Sequence, residues 1–214
     1  MTTYLADILA LLKKDWPDNR LVNIVCHGHS VPAGYFDTPV VDTMNAYPHL
    51  LHVELARRFP HAVTNVIVTA IGGETSERGA ARFDQEVLVH RPDVLTIDYS
   101  LNDRSIGLER ARASLVPMIE KALARQIRVI LLTPTGDRTA NLSDPNDPLN
   151  QHAEQIRALA REYNVALADS LAVTKAYVDA GGQLDDLMSH VNHPNRKGHD
   201  LVVNELVKWF PAEG

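Results

Sequence analysis

Covalent cross-links are the first thing this chain does without: a single cysteine, Cys26, in 214 residues leaves no internal disulfide to form. A domain of this length buries roughly 70% of the surface its unfolded chain exposes, so a core can be completed without a cross-link or a structural metal. Cys26 closes the apolar run at residues 21–26 and reads as a small core residue in a reducing compartment. Long hydrophobic runs are missing as well, and none approaches the ~18 residues that span a bilayer. No basic stretch opens the chain and Asp7 interrupts the first apolar segment, so no secretory signal is expected and the location is read as cytoplasmic. Positive charge is scarce: 21 lysines and arginines against 27 aspartates and glutamates give a net charge of −6. With no basic cluster outside the neighbourhood of Arg196 and Lys197, a nucleic-acid partner is excluded. The glycines at 28, 34, 72 and 73 match neither a dinucleotide nor a P-loop spacing, so no phosphate-bearing cofactor is implied.

What the chain has in quantity is histidine, ten in all, the residue type best suited to proton transfer near neutral pH. The scaffold that carries them is legible from hydrophobic patterning. Short apolar runs at residues 21–26, 63–71, 94–99, 127–133 and 165–168 predict five buried strands. Amphipathic patterns predict helices over residues 47–59, 77–90, 108–125, 149–163 and 196–210, the last carrying Leu201, Leu206 and Trp209 inward. An N-terminal helix is expected from Leu5, Ile8, Leu9, Leu12 and Trp16, and Pro117 should kink the third of the later helices or mark its start. Strands apolar throughout and alternating with helices imply a parallel five-stranded sheet covered on both faces, a three-layer α/β/α sandwich. No repeat or linker divides residues 1–214, which are read as one domain. In such sheets ligands bind beyond the carboxyl ends of the strands, so function is sought there.

After the first strand, Ser30 is the first hydroxyl, in Gly28-His29-Ser30, with Gly28 and Gly34 permitting a sharp turn. Glycine is absent at position 32, which excludes the Gly-x-Ser-x-Gly elbow of α/β-hydrolases. The second strand leads into Gly72-Gly73-Glu74-Thr75, where a glycine N–H can approach a ligand, and the third into Ser100-Leu101-Asn102-Asp103. Near the C-terminus stands Ser189-His190-Val191-Asn192-His193-Pro194, with His193 held at the entrance of the last helix. Taken singly, each segment has a bland reading as a turn or a helix cap. Together and in this order they resemble the SGNH, or GDSL, hydrolase family over nearly the whole chain. The resemblance implies a flavodoxin-like fold and a serine esterase: Ser30 as nucleophile, His193 as general base, and Ser30, Gly73 and Asn102 as donors of an oxyanion hole. It implies no cofactor and no metal.

The chain departs from that family's pattern in three places. His29 replaces the aspartate of Gly-Asp-Ser, where an altered pocket shape is expected, and Ser100 replaces a glycine. His190 replaces the aspartate three residues before the base, so the group that orients His193 is open: His190, Ser189, a backbone carbonyl, or a carboxylate from Asp185, Asp186 or Asp169. Tyr35, Phe36 and the loops at residues 37–45 and 135–148 are candidate pocket walls, and Tyr35, Arg104 and Arg138 candidate substrate contacts. The expected partner is a small-molecule ester, whether an acetylated sugar, a short-chain acyl ester, a thioester or a lysophospholipid; no oligomeric state is implied. Two alternatives stand beside this reading. One is a catalytically impaired homologue that only binds a ligand. The other is a metallohydrolase using His27 and His29 or the His190, His193 and His199 group, although no His-Glu-x-x-His motif is present. His49, His52, His61, His90 and His152 are expected on the solvated surface.

Overall fold

The computed structural model describes residues 4–212. Five strands, β1 (Leu21–Gly28), β2 (Val63–Val68), β3 (Val94–Asp98), β4 (Arg128–Leu132) and β5 (Ala166–Ala168), form one parallel sheet in the order β2-β1-β3-β4-β5. The helices are α1 (Ala6–Leu12), α2 (Ser30–Ala33), α3 (Tyr47–Arg58), α4 (Ser76–Glu86), α5 (Ser100–Asp103), α6 (Leu108–Leu123), α7 (Pro148–Glu162), α8 (Ser170–Asp179) and α9 (Arg196–Leu206). Alternation along the central strands feeds two cores. Ile24, Cys26, Ile130 and Leu132 pack against α1, α3 and α9, while Val25, Leu95, Ile97, Val129 and Leu131 pack against α4, α6 and α7. That is the three-layer α/β/α arrangement expected of strands apolar on both faces.

Several expectations shift for physical reasons. β2 is an edge strand, so Val63 and Val68 stay exposed where a fully buried strand was expected. The first helix stops at Leu12, and Trp16, expected to pack inward, lies beyond it and is 84% exposed. Pro117 does not mark the start of α6, which runs through it from Leu108. Leu206 is fully buried, whereas Trp209 is only half-buried, donating its indole N–H to the Leu167 carbonyl. The sequence pattern missed α8, whose apolar and polar residues do not segregate to two sides; Asp169 caps it by accepting from the Ala172 N–H at 3.1 Å. Cys26 is fully buried, and that burial pushes its thiol up to about 12, so it acts as core.

The first crossover from β1 adds β2 on one side and the next adds β3 on the other, so the chain reverses its winding at the carboxyl end of β1. There Gly28 pairs in register with Asp98 at the end of β3. α2, the 71–75 turn and α5 all begin at this edge. Among the described residues no helix is long and apolar enough to cross a membrane. The burial pattern is tested by a pair of substitutions in a urea titration. Leu95→Ala, in the centre of the sheet, is expected to cost about 2–5 kcal/mol, and Trp16→Ala no more than about 0.5 kcal/mol; similar losses for the two would contradict the placement of the core.

Candidate active site

Ser30 opens α2 directly after β1 and His29. His29 accepts from the Val31 N–H at 3.2 Å and so caps the short helix. Its other ring nitrogen lies 3.4 Å from Asp98 Oδ1 beneath the sheet edge. This residue, expected to reshape the pocket, is buried under the serine and does not line it. Ser30 Oγ is 2.9 Å from His193 Nε2, joining positions 163 residues apart.

The second nitrogen of His193 is 2.9 Å from the Phe36 carbonyl oxygen and 3.5 Å from Thr38 Oγ1. A carbonyl only accepts, so this bond places the proton on Nδ1 and leaves the Nε2 lone pair facing the serine hydroxyl. Of the candidates for orienting the base, a backbone carbonyl is therefore the group found at Nδ1. Ser189 is spent elsewhere, its hydroxyl donating to the carbonyls of His193 and Pro194 at 3.2 and 3.0 Å. Asp186 accepts from the Tyr177 hydroxyl and the Gln183 N–H, Asp185 from Arg138, and Asp169 from Arg157 and Thr133. The His190 ring lies tilted beside that of His193, centroids 5.7 Å apart, without bonding to it; the residues are joined instead by the His190 main-chain N–H, which donates to the His193 carbonyl at 3.2 Å. Burial pushes the His193 ring below the ordinary histidine range; the Phe36 carbonyl works against this, and the neighbouring His190 and His29 add to it.

Gly73 stands at φ +78°, in a turn closed by the Glu74 N–H on the Ile71 carbonyl at 3.3 Å, a conformation that glycine adopts freely. Asn102, on α5, donates through Nδ2 to the Glu74 carbonyl at 2.9 Å, and Asp103 accepts from the Ser76 N–H at 2.7 Å. Burial raises Asp103 to about 6, against the bond from Ser76. Among the described residues no acceptor is bonded to the backbone N–H of Ser30 or Gly73. Ser30, Gly73, Asn102 and His193 share a cavity of about 400 Å³ whose other walls are Tyr35, Thr38, Gly72, His190 and Asn192. Among the described residues no aliphatic side chain lines it.

Of the other sequence candidates, Arg104 lines an adjoining pocket with Gly73 and Asn102, and Arg138 lies apart. Arg104 pairs with the buried Asp137 and donates to the Leu101 carbonyl, and Arg138 pairs with Asp185; both are tied into ion pairs and neither lines the Ser30 cavity. From the loop at 37–45 only Thr38 reaches the cavity, and from the loop at 135–148 nothing does. Phe36, expected as a pocket wall, does not line the cavity and contributes its carbonyl to His193 instead; sequence admitted a backbone carbonyl there without saying which, because a main-chain oxygen leaves no residue-type signal, and it did not single out Asn192. Three further histidines are buried. His27 is held by Thr69, Gly79 and Tyr99, and His199 accepts from the Tyr47 N–H. Burial lowers both to about 3. His152, expected on the surface, is buried within α7, and burial and Arg104 lower it to about 4. Among the described residues no group of three or more His, Cys, Asp or Glu side chains is placed to hold a metal ion.

A parallel sheet with a Ser–His pair at its switch point, facing a glycine turn and an asparagine amide, defines an α/β/α hydrolase of the SGNH architecture. The chain belongs to the GDSL-like lipase/acylhydrolase family, whose model matches residues 26–201, and is a carboxylic ester hydrolase. No curated protein matches it by sequence. Among solved structures it is similar to Axe2, an acetylxylan esterase from Geobacillus stearothermophilus, with 20% identity and a TM-score of 0.77 over 90% of this chain and 95% of that one. Catalytic mutants of Axe2 with a serine or a histidine replaced by alanine are also among the similar structures. A two-domain esterase active on acetylated mannans has 21% identity and a TM-score of 0.77, over 96% of this chain and 52% of that one. A putative GDSL-like lipase from Parabacteroides merdae has 17% identity and a TM-score of 0.75, over 90% of this chain and 96% of that one.

The electrostatics are checked by NMR titration of the His193 ring. Its midpoint is expected below the ordinary value of about 6.5. Because a charged His190 disfavours charge on His193, His190→Ala is expected to move the midpoint upward. A wild-type midpoint at or above the ordinary value would contradict the environment described.

Proposed function

We propose that this protein hydrolyses esters of short acyl groups, with acetyl on a carbohydrate hydroxyl as the leading substrate class, through an acyl-enzyme at Ser30. The observation that carries the reading is the 2.9 Å bond between Ser30 Oγ and the free nitrogen of a His193 whose other nitrogen is held by a carbonyl. His193 takes the hydroxyl proton as Oγ attacks the ester carbonyl. The N–H groups of Ser30 and Gly73 and the second N–H of Asn102 receive the charge that develops on the carbonyl oxygen. The imidazolium then returns its proton to the leaving alkoxide. Water repeats the cycle on the acyl-enzyme, releasing the carboxylic acid and restoring both side chains.

The walls of the cavity support the substrate class. Tyr35, Thr38, His190 and Asn192 offer hydroxyl, imidazole and amide groups suited to a polar alcohol, and no aliphatic surface that would bury a long acyl chain. Similarity to esterases of acetylated xylan and mannan points the same way. The lone, inert Cys26 fits a cytoplasmic location.

Steady-state kinetics on nitrophenyl esters of rising chain length, run beside an acetylated xylo-oligosaccharide, test both parts. Ser30→Ala is expected to fall to background and Asn102→Ala by roughly 10²–10³ in kcat, with both variants folded. Wild-type kcat/KM is expected to drop as the acyl chain lengthens. Activity retained in Ser30→Ala would overturn the mechanism, and a rate that climbs with chain length would overturn the substrate class.

A further inference from the structure

We infer that the buried ion pair of Glu74 and Arg82 is the positioning element of the oxyanion-stabilising donors. The inference rests on the serine-esterase reading above and assigns a role to residues that touch neither the substrate nor the base.

Gly73 needs such a support. A side chain built on it would meet nothing within 4 Å, so no packing holds Gly73 itself; the turn is tied at its start, where the Ile71 N–H donates to the Gly28 carbonyl at 3.1 Å and Gly72 lies against the Tyr35 ring. Its backbone closure, Glu74 N–H to the Ile71 carbonyl, is long at 3.3 Å. The far side of the turn is held by the side chain of the next residue. Glu74 receives Arg82 in a fork, Nε at 3.0 Å and Nη2 at 2.7 Å on Oε2, with Arg82 and Glu74 side chains only 12% and 8% exposed. Tyr99 donates its hydroxyl to the same carboxylate at 3.3 Å. The Tyr99 oxygen lies 3.1 Å from His27 Nε2, and His27 Nδ1 lies 3.0 Å from the Thr69 hydroxyl. With Thr69 donating to Nδ1, and Nε2–H shared between Tyr99 and the Gly79 carbonyl, every ring nitrogen and the carboxylate are satisfied.

The network reaches the donors through one atom. The Glu74 main-chain carbonyl accepts one N–H of the Asn102 amide at 2.9 Å, which turns the other N–H toward the cavity that Asn102 lines. Gly73 and Asn102, from two different strand ends, are thereby set relative to one another by the residue that the ion pair anchors. A buried ion pair is poor evidence of stability, since desolvation offsets its attraction, so geometry is the better account of its presence here. Gly79 adds to the case. A side chain at this position in α4 would overlap the Tyr99 hydroxyl, so the helix carries its least favourable ordinary residue where the network needs room.

A double-mutant cycle on kcat tests this, with Glu74→Gln alone and combined with Asn102→Ala, using a short-chain nitrophenyl ester. Glu74→Gln is expected to lower kcat roughly 10- to 100-fold at nearly unchanged KM, the scale of a donor displaced by about 1 Å. In the Asn102→Ala background it is expected to cost much less, because the donor it positions is already gone. Tyr99→Phe, which removes one hydroxyl from the network and is milder for folding, is expected to show the same non-additivity with a smaller loss. Wild-type kcat in Glu74→Gln, or losses that multiply in full with Asn102→Ala for both Glu74→Gln and Tyr99→Phe, would overturn the inference. If Asn102→Ala by itself keeps full activity, the oxyanion assignment fails and the inference with it. An impaired Asn102→Ala with fully multiplying losses removes only the positioning role.

Discussion

The bond from His193 Nδ1–H to the Phe36 carbonyl is the constraint on which the site depends, because it selects the one tautomer in which Nε2 can accept from Ser30. It places a demand on the loop after α2, which must return a main-chain oxygen to a ring arriving from the other end of the chain. Gly34, at φ +89°, turns that loop, and the Phe36 ring rests on His199 of α9 with centroids 5.1 Å apart. His199 in turn accepts the Tyr47 N–H at the start of α3. A neutral, buried histidine that takes no part in proton transfer thus fastens both ends of the loop that orients the one proposed to do so.

A carbonyl dipole stabilises an imidazolium less than a carboxylate does, and the rest of the environment acts in the same direction. Burial and the adjacent His190 and His29 favour the neutral ring. The environment therefore favours the uncharged ring, the form that can accept a proton from Ser30. In the proposed mechanism the transition state then leans more heavily on the donors facing the developing oxyanion. Those donors come from loops at three strand ends, and the Glu74, Arg82, Tyr99 and His27 network holds the far side of the glycine turn. Weak stabilisation of the base and firm support of the donors are complementary parts of one arrangement.

The layered fold was legible because strand burial and helix amphipathicity are local, periodic signals: the runs at 21–26, 94–99 and 127–133 became β1, β3 and β4 with ends shifted by one or two residues. The four motif segments were legible for a related reason, since each follows a strand or precedes the last helix. Three-dimensional relations were not. His152 lies on a helix whose buried side is wide enough to include it, and Trp16 follows the apolar spacing beyond the point where the helix ends. Arg104 and Arg138 look like anion-binding groups until Asp137 and Asp185 are seen beside them. The partner of His193 is a backbone atom 157 positions away, which no residue pattern reports. Glu74 and Arg82 are separated by only eight residues, yet their importance comes from the Glu74 carbonyl that receives Asn102.

The central claim is that Ser30 becomes acylated with His193 as its base. Intact-mass and peptide mass spectrometry of the enzyme, acid-quenched within milliseconds of mixing with an activated acetate ester, tests it most directly. The account predicts an acetyl group on the peptide bearing Ser30, formed in the wild type and absent from His193→Ala. An acetyl group confined to another residue, or equal acetylation of Ser30 in His193→Ala, would contradict it.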